Sequence, residues 1–77
     1  MLQILRGKSD KNISFNDLCH LLLKLGFQER TRVSHHNFRK EGVNEKINLQ
    51  RDGSKAKAYQ VRQVRKIILK YRLGDEL

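Results

Sequence analysis

Apolar residues recur at helical spacing near the start of the chain. The stripe at i, i+3, i+7 and i+10 consists of Phe15, Leu18, Leu22 and Leu25. This spacing places one apolar face along a helix, which indicates a helix packed on a core. Ser14 stands before the stripe with Asp17 three residues later, a capping-box arrangement, and Gly26 stands where a helix C′ residue belongs. The pattern predicts a helix over roughly residues 15–25.

After Gly26 the apolar period changes to two, which is the period of a strand. We predict strands near residues 27–33 and 36–40, joined at Ser34, and a third near residues 45–50. The side chains expected to face the core are Phe27, Phe38, Ile47 and Leu49. The side chains expected on the opposite face include Arg30, Arg32, His35, Asn37, Arg39 and Lys46. A one-residue slip in the second strand would bury His35 and expose Phe38.

The segment after the third predicted strand is basic and leads into a second helix. Residues 51–57 are expected to form a loop with a turn at Asp52-Gly53, and not a two-residue hairpin, because no clear fourth strand follows. From about Ala58 the period is helical again. The apolar stripe of this helix consists of Val61, Val64, Ile68 and Tyr71. Gly74 is expected to mark its end.

The order of predicted elements is α-β-β-β-α, which indicates an α+β fold. Short connections favour an antiparallel three-stranded sheet, and two helices with one apolar stripe each must both cover one face of it. The opposite face then stays in water. We expect a single domain over residues 14–74, an N-terminal arm over residues 1–13 and a tail over residues 75–77.

Seventeen lysines and arginines against eight acidic residues give the 77-residue chain a formal net charge of +9. So much positive charge on a small surface attracts polyphosphates or acidic proteins. The single cysteine, Cys19, excludes an internal disulfide, and no apolar run is long enough for a signal sequence or a membrane helix. We therefore expect a soluble cytoplasmic protein with nucleic acid as the favoured partner and no membrane partner.

His35 brings proton-transfer chemistry to the cationic face. An imidazole exchanges protons near neutral pH, and RNA carries its own nucleophile, the 2′-OH, beside the scissile phosphate. A base that takes the 2′-OH proton allows in-line attack on phosphorus without a metal, and neighbouring cations stabilise the phosphoryl charge. The alternative is a surface histidine that only contacts phosphate. Lys46, Ser34 and water all remain open as the proton donor to the leaving oxygen.

The other histidines are not expected to act in catalysis. His36 should point toward the core side beside Phe38, and His20 falls off the apolar stripe of the first helix. A metal site of Cys19, His20, His35 and His36 is not expected, because adjacent strand residues face opposite sides and the spacing matches no zinc pattern. No metal and no small-molecule cofactor are therefore predicted.

Two stretches carry a resemblance to a known family. Residues 21–27, Leu-Leu-Leu-Lys-Leu-Gly-Phe, lead into residues 34–39, Ser-His-His-Asn-Phe-Arg. The later run over residues 55–65 is typical of one branch of the same family. Over about residues 13–74 the chain resembles the HicA mRNA interferases, which are the toxins of bacterial type II toxin–antitoxin pairs. That family usually has glycine before the Ser-His pair, where this chain has Val33, and proline at the position of Ala58.

The resemblance implies a fold like that of double-stranded-RNA-binding domains and an RNA-cleaving activity centred on His35. It also implies a HicB-like antitoxin that covers this histidine. We therefore expect a metal-independent endoribonuclease that acts on messenger RNA and is neutralised by the antitoxin. The predicted RNA contacts are Arg30, Arg32, Ser34, Asn37, Arg39 and Lys46. The alternatives are an RNA-binding module of the same fold that does not cut, and a protein-binding module for an acidic partner.

Overall fold

The computed structural model describes residue 4, residue 7 and residues 10–76. Its helices are α1 (Phe15–Lys24) and α2 (Ala58–Lys70). Its strands are β1 (Gln28–Arg32), β2 (His35–Arg39), β3 (Ile47–Leu49), β4 (Arg51–Asp52) and β5 (Lys55–Ala56). Short 3-10 helices occupy Asp10–Asn12 and Leu73–Glu76. The predicted α+β architecture is confirmed: along the chain, one helix precedes the three consecutive strands and the other follows them.

Both ends of α1 are fixed by local backbone chemistry. The Ser14 hydroxyl accepts a hydrogen bond from the Asp17 amide at 3.3 Å, so the predicted N-cap is confirmed. At the other end the Gly26 and Phe27 amides donate to the Leu23 and Leu22 carbonyls, which is the Schellman pattern. Gly26 adopts a φ of +96°, a left-handed conformation that glycine enters without steric cost. The chain therefore leaves α1 directly into β1.

Three strands form an antiparallel sheet in the order β1-β2-β3, as the sequence predicts. In the register of β1 and β2, Arg32 lies opposite His35 and Glu29 lies opposite Phe38. In the register of β2 and β3, Phe38 lies opposite Ile47. Since side chains alternate along each strand, this register sends His35 and Phe38 to opposite faces of the sheet.

The core lies between the inner face of this sheet and the two helices. Phe38, Ile47 and Leu49 contribute fully buried side chains from the sheet. The helices contribute Phe15, Leu18, Leu22, Val61, Val64 and Ile68 to the same cluster. Burial of each such side chain favours folding by roughly 1.5–3 kcal/mol, so the core determines the register and keeps the opposite face of the sheet in water.

The prediction of a plain loop over residues 51–57 is wrong. β4 and β5 pair as a hairpin in which Asp52 lies opposite Lys55, so Gly53 and Ser54 form its two-residue turn. The hairpin is held by backbone partners at the start of α1, because the Phe15 amide donates to the Ser54 carbonyl and the Ala56 amide donates to the Ile13 carbonyl. Strands of two residues carry too few side chains to show a period, which is why the pattern missed them.

The predicted end of the second helix at Gly74 is also wrong. α2 ends at Lys70, and Arg72, not Gly74, adopts the left-handed conformation with a φ of +55°. The phenol of Tyr71 donates to the Glu45 carboxylate at 2.6 Å and accepts from the Asn44 amide at 3.3 Å. These bonds join the helix end to the β2–β3 connection, so a tertiary contact determines where α2 stops.

Part of the predicted N-terminal arm packs on the domain. Ile4 and Ile13 belong to the buried core. The Arg65 guanidinium of α2 donates to the Ile4 carbonyl and to both carboxylate oxygens of Asp10. Leu2 and Leu5 of the predicted arm and Leu77 of the predicted tail lie outside the described residues. Neither helix in the described part of the chain is long and apolar enough to span a bilayer.

Candidate nucleic-acid interface

The outer face of the sheet is cationic. Arg30 and Arg32 project from β1, Arg39 projects from β2, and Lys46 precedes β3; all four side chains are exposed. The only strand carboxylate among β1, β2 and β3 is Glu29, and alternation places it on the inner face. The outer face therefore presents positive charge without an acidic residue of its own strands.

These cations line one open groove of about 650 Å³. The groove is lined by Gln28, Arg30, Thr31, Arg32, Asn37, Arg39 and Lys46. Three ion pairs form within the described residues, and none of them engages a cation of this groove. Its guanidinium and ammonium groups therefore keep their donors for an external anion, and a fork of N–H groups matches phosphate oxygens well.

His35 lies at the first position of β2, beside this groove. Its side chain is exposed, and Arg32 is its partner in the β1–β2 register. The side-chain nitrogen Nε2 of Gln50 lies 3.2 Å from each ring nitrogen, and the side-chain oxygen Oδ1 of Asn48 lies 3.4 Å from Nδ1. The imidazole is thus exposed to water and contacted by two neutral side-chain amides.

A buried glutamine supports the residues that hold His35. Gln60, on α2, is 2% exposed. Its side-chain oxygen accepts a hydrogen bond from the backbone amide of Gln50 at 3.2 Å, and its side-chain nitrogen donates to the backbone carbonyl of Asn48 at 3.3 Å. Lys57, at the start of α2, donates to the Gln50 side-chain oxygen at 3.4 Å. The start of α2 therefore positions the end of β3 against the imidazole.

His36 lies on the inner face, as predicted. Its Nδ1 lies 2.7 Å from a Glu29 carboxylate oxygen and 3.3 Å from the Thr31 hydroxyl. Its ring meets the Phe15 ring edge to face at a centroid distance of 4.9 Å, so its packing partner is Phe15. His20, in contrast, is exposed on α1.

One set of possible metal ligands occurs among the described residues. Cys19, Glu29 and His36 bring one ligand atom each to within 4.8 Å of one another. Burial raises the pKa of the Cys19 thiol to about 11, with a smaller contribution from the Glu29 carboxylate. A metal ion would have to displace the thiol proton and break the hydrogen bond between Glu29 and His36. These three side chains therefore favour a hydrogen-bonded pair of Glu29 and His36 beside the neutral thiol of Cys19 over a metal site.

The β1–β2 turn holds an unusual backbone conformation. Val33 has a φ of +54° and a side chain that is 98% exposed. A positive φ is rare for a β-branched residue, because its Cβ substituents crowd the backbone. A two-residue hairpin turn nevertheless needs a positive φ here. The turn places Ser34 directly before His35.

The structure brings most of the predicted site together. Arg30, Arg32, Asn37, Arg39 and Lys46 share the groove. Ser34 lines a separate hollow of about 370 Å³ at the end of the sheet, together with Val33, His36, Gln50 and Arg51. His35 contacts Gln50, which lines that hollow, and lies opposite Arg32, which lines the groove. The histidine thus stands between the two depressions.

Sequence reasoning missed the amides around His35. Alternation along the third predicted strand places Asn48 and Gln50 on the face opposite Ile47 and Leu49, but nothing in a strand pattern pairs them with a residue of the neighbouring strand. The burial of Gln60 could have been predicted from the sequence, because this residue lies one helical turn before Val64 on the apolar stripe of α2. A polar residue on such a stripe needs buried hydrogen-bond partners, which indicates a structural link.

In comparisons with known proteins, no family model, no curated protein and no solved structure matched this chain.

Proposed function

We propose that this protein is a metal-independent endoribonuclease that cuts messenger RNA in the cytoplasm with His35 as the general base. One observation carries the proposal: the His35 imidazole is exposed at the edge of a groove whose cations have no acidic partner on the sheet. Phosphates seated in the groove would bring the RNA backbone to this imidazole. The resemblance of residues 34–39 to the Ser-His motif of HicA toxins supports the same assignment.

The chemistry follows from the substrate. His35 removes the proton of a ribose 2′-OH, and the 2′-oxygen attacks the adjacent phosphorus in line with the 5′-oxygen. Arg32, opposite His35 in the register, stabilises charge on the phosphoryl oxygens. The products are a 2′,3′-cyclic phosphate and a 5′-hydroxyl end. A HicB-like antitoxin, implied by the same resemblance, would cover His35 and the groove.

The test compares purified wild-type protein with His35→Ala and His20→Ala on an end-labelled RNA in EDTA. His20 is the matched control, because it is an exposed histidine on α1 that lines neither the groove nor the hollow. We expect cleavage by the wild type and His20→Ala, and a loss of at least about 100-fold in His35→Ala, in the range usual for a general base. Equal cleavage by all three proteins would refute the assignment.

A second function, RNA binding without cleavage, is favoured by one feature of the groove. Its lining contains four cations but not His35. In that case the arginines would bind phosphate and the imidazole would be incidental. Binding by the wild type and by His35→Ala, with no cleavage by either in EDTA, would identify this function.

A further inference from the structure

The hollow at the end of the sheet is a second cluster of chemistry-bearing side chains. It lies between the β1–β2 turn and the segment that joins β3 to β4. Its lining contains the His36 imidazole, the Arg51 guanidinium, the Ser34 hydroxyl and the Gln50 amide. A cleaving enzyme needs a proton donor for the leaving oxygen as well as a base, and His35 alone supplies only one of these.

His36 is arranged as an oriented imidazole. Its Nδ1 lies 2.7 Å from Glu29 Oε2, and the two side chains are 21% and 25% exposed. A carboxylate at this distance accepts the Nδ1 hydrogen, which leaves Nε2 as the nitrogen that exchanges a proton with a ligand. The Phe15 ring packs edge to face against the imidazole and restricts its rotation. The Glu29 carboxylate therefore orients the His36 imidazole, and the hollow that this imidazole lines can hold the group that it protonates.

Arg51 is fixed beside this imidazole. Its Nη2 donates to Asn16 Oδ1 at 2.9 Å, and its guanidinium carbon lies 4.6 Å from the centroid of the Phe15 ring. The same phenylalanine therefore holds both the arginine and the histidine. Among the described residues Arg51 makes no other side-chain hydrogen bond, so its remaining N–H donors can bind a phosphate oxygen in the hollow.

The two imidazoles flank one side chain. The Gln50 amide contacts the ring of His35, and Gln50 also lines the hollow in which His36 lies. The histidines alternate to opposite faces of β2, but both stand at the end of this strand, next to the turn. An RNA backbone that passes around the end of the sheet meets His35 on one side and His36 on the other.

We propose that His36, oriented by Glu29, is the general acid of the cleavage reaction, and that Arg51 binds the scissile phosphate between the two histidines. The proposal rests on the nuclease function proposed above. The 2′-oxygen forms a bond to phosphorus, and its proton passes to His35. The bond between phosphorus and the 5′-oxygen breaks, and this oxygen takes the proton from Nε2 of His36. Both imidazoles then return to their starting states by proton exchange with water.

The experiment uses two RNAs that differ in one atom. One has an ordinary 5′-oxygen at the cleavage site, and the other has a bridging 5′-sulfur, which leaves as a thiolate without protonation. The variants are His36→Gln, whose amide can still bond Glu29, Glu29→Gln, and His35→Ala. Circular dichroism and thermal unfolding report whether each variant is folded.

We expect His36→Gln to lower the cleavage rate of the ordinary RNA by at least about 100-fold, and that of the sulfur RNA by less than about fivefold, as for loss of a general acid. Glu29→Gln should show the same selectivity with a smaller loss, because it acts through His36. His35→Ala should lose cleavage of both RNAs, because both need the base.

Equal losses on both RNAs in His36→Gln would overturn the acid role, and so would a rate equal to wild type on the ordinary RNA. If His36→Gln does not fold, the ratio of the two rates in Glu29→Gln decides, since a ratio equal to that of the wild type refutes the role. Cleavage of neither RNA by the wild-type protein would instead refute the nuclease assignment itself, which separates the two failures.

Discussion

At the scale of single residues, Val33 is the point where the backbone departs from what its side chain favours. It combines a φ of +54° with a side chain that makes almost no contact, since it is 98% exposed. A non-glycine residue in this conformation costs of the order of 1–3 kcal/mol. That cost lies in the turn that presents Ser34 and His35.

Replacing Val33 with glycine should stabilise the fold. Relief of the strained conformation exceeds the extra chain entropy of glycine, so we expect about 1 kcal/mol more free energy of unfolding. Urea denaturation measures the change. Ser34→Gly is the matched control in the same turn, because Ser34 has no positive φ. A lower stability of Val33→Gly would show that the valine conformation carries no strain.

Cys19 gives a second prediction at this scale. Burial raises the pKa of its thiol to about 11, and the side chain is 7% exposed. Since the thiolate is the reacting species, alkylation by iodoacetamide at neutral pH should be at least about 100-fold slower than that of an unhindered thiol. Reaction should become rapid in denaturant. Fast alkylation of the folded protein would contradict the buried placement of Cys19.

Alternation was enough to place the predicted site residues, but not to say what they contact. Phe38 determines the face of His35, since the large apolar residue must enter the core. The contacts of His35 with Gln50 and Asn48 depend on the pairing register of β2 and β3 and on side-chain reach. The apolar pattern of a single strand predicts neither the pairing register nor the reach of the side chains.

At the scale of elements, the predictable ones are those with local signals. α1 has its N-cap at Ser14 and its C′ glycine at Gly26, and both signals lie in the sequence next to the helix. The β4–β5 hairpin and the end of α2 depend on residues far along the chain. Ile13 pairs with the hairpin, and Glu45 pairs with Tyr71, so local patterns could not predict them.

The contact at the end of α2 has a measurable consequence. The hydrogen bond from Tyr71, followed by that from Lys70, lowers the pKa of the Glu45 carboxyl from its ordinary value. A lowered pKa in the folded state gives stability that is present above the unfolded-state pKa and is lost as the pH falls through the folded-state pKa. Glu45 therefore contributes to stability at neutral pH and not in strong acid.

Tyr71→Phe should raise the pKa of Glu45 toward its ordinary value, because it removes the largest cause of the shift. Side-chain carboxyl chemical shifts in an NMR titration measure this change. Lys70→Met is the comparison variant and should produce a smaller rise. An unchanged Glu45 titration in Tyr71→Phe would contradict the link between the helix end and the β2–β3 connection.

At the scale of the whole molecule, the cations fall into two groups, those that form internal ion pairs and those that do not. The net charge of +9 includes cations that are used internally, such as Arg65 with Asp10 and Lys70 with Glu45. The cations of the sheet groove have no such partners within the described residues. Composition predicted an anionic ligand, whereas only the fold separates the cations that form internal ion pairs from those that do not.

RNA affinity should therefore depend on the face that carries the charge. Four phosphate contacts in the groove predict a slope of log K against log salt of about −3 for single-stranded RNA. Arg39→Glu should weaken binding by at least about tenfold, whereas Arg62→Glu, the same charge change on exposed α2, should have little effect. Fluorescence anisotropy with a non-cleavable 2′-deoxy oligonucleotide measures both. Equal losses would place binding outside the groove.

The ends of the RNA fragments test the central claim most directly. Mass spectrometry of the products formed in EDTA should find a 2′,3′-cyclic phosphate, or the monophosphate from its hydrolysis, on one fragment and a 5′-hydroxyl on the other, with no products from His35→Ala. Fragments that end in 3′-hydroxyl and 5′-phosphate, or the same products from His35→Ala, would contradict attack by the 2′-oxygen with His35 as its base.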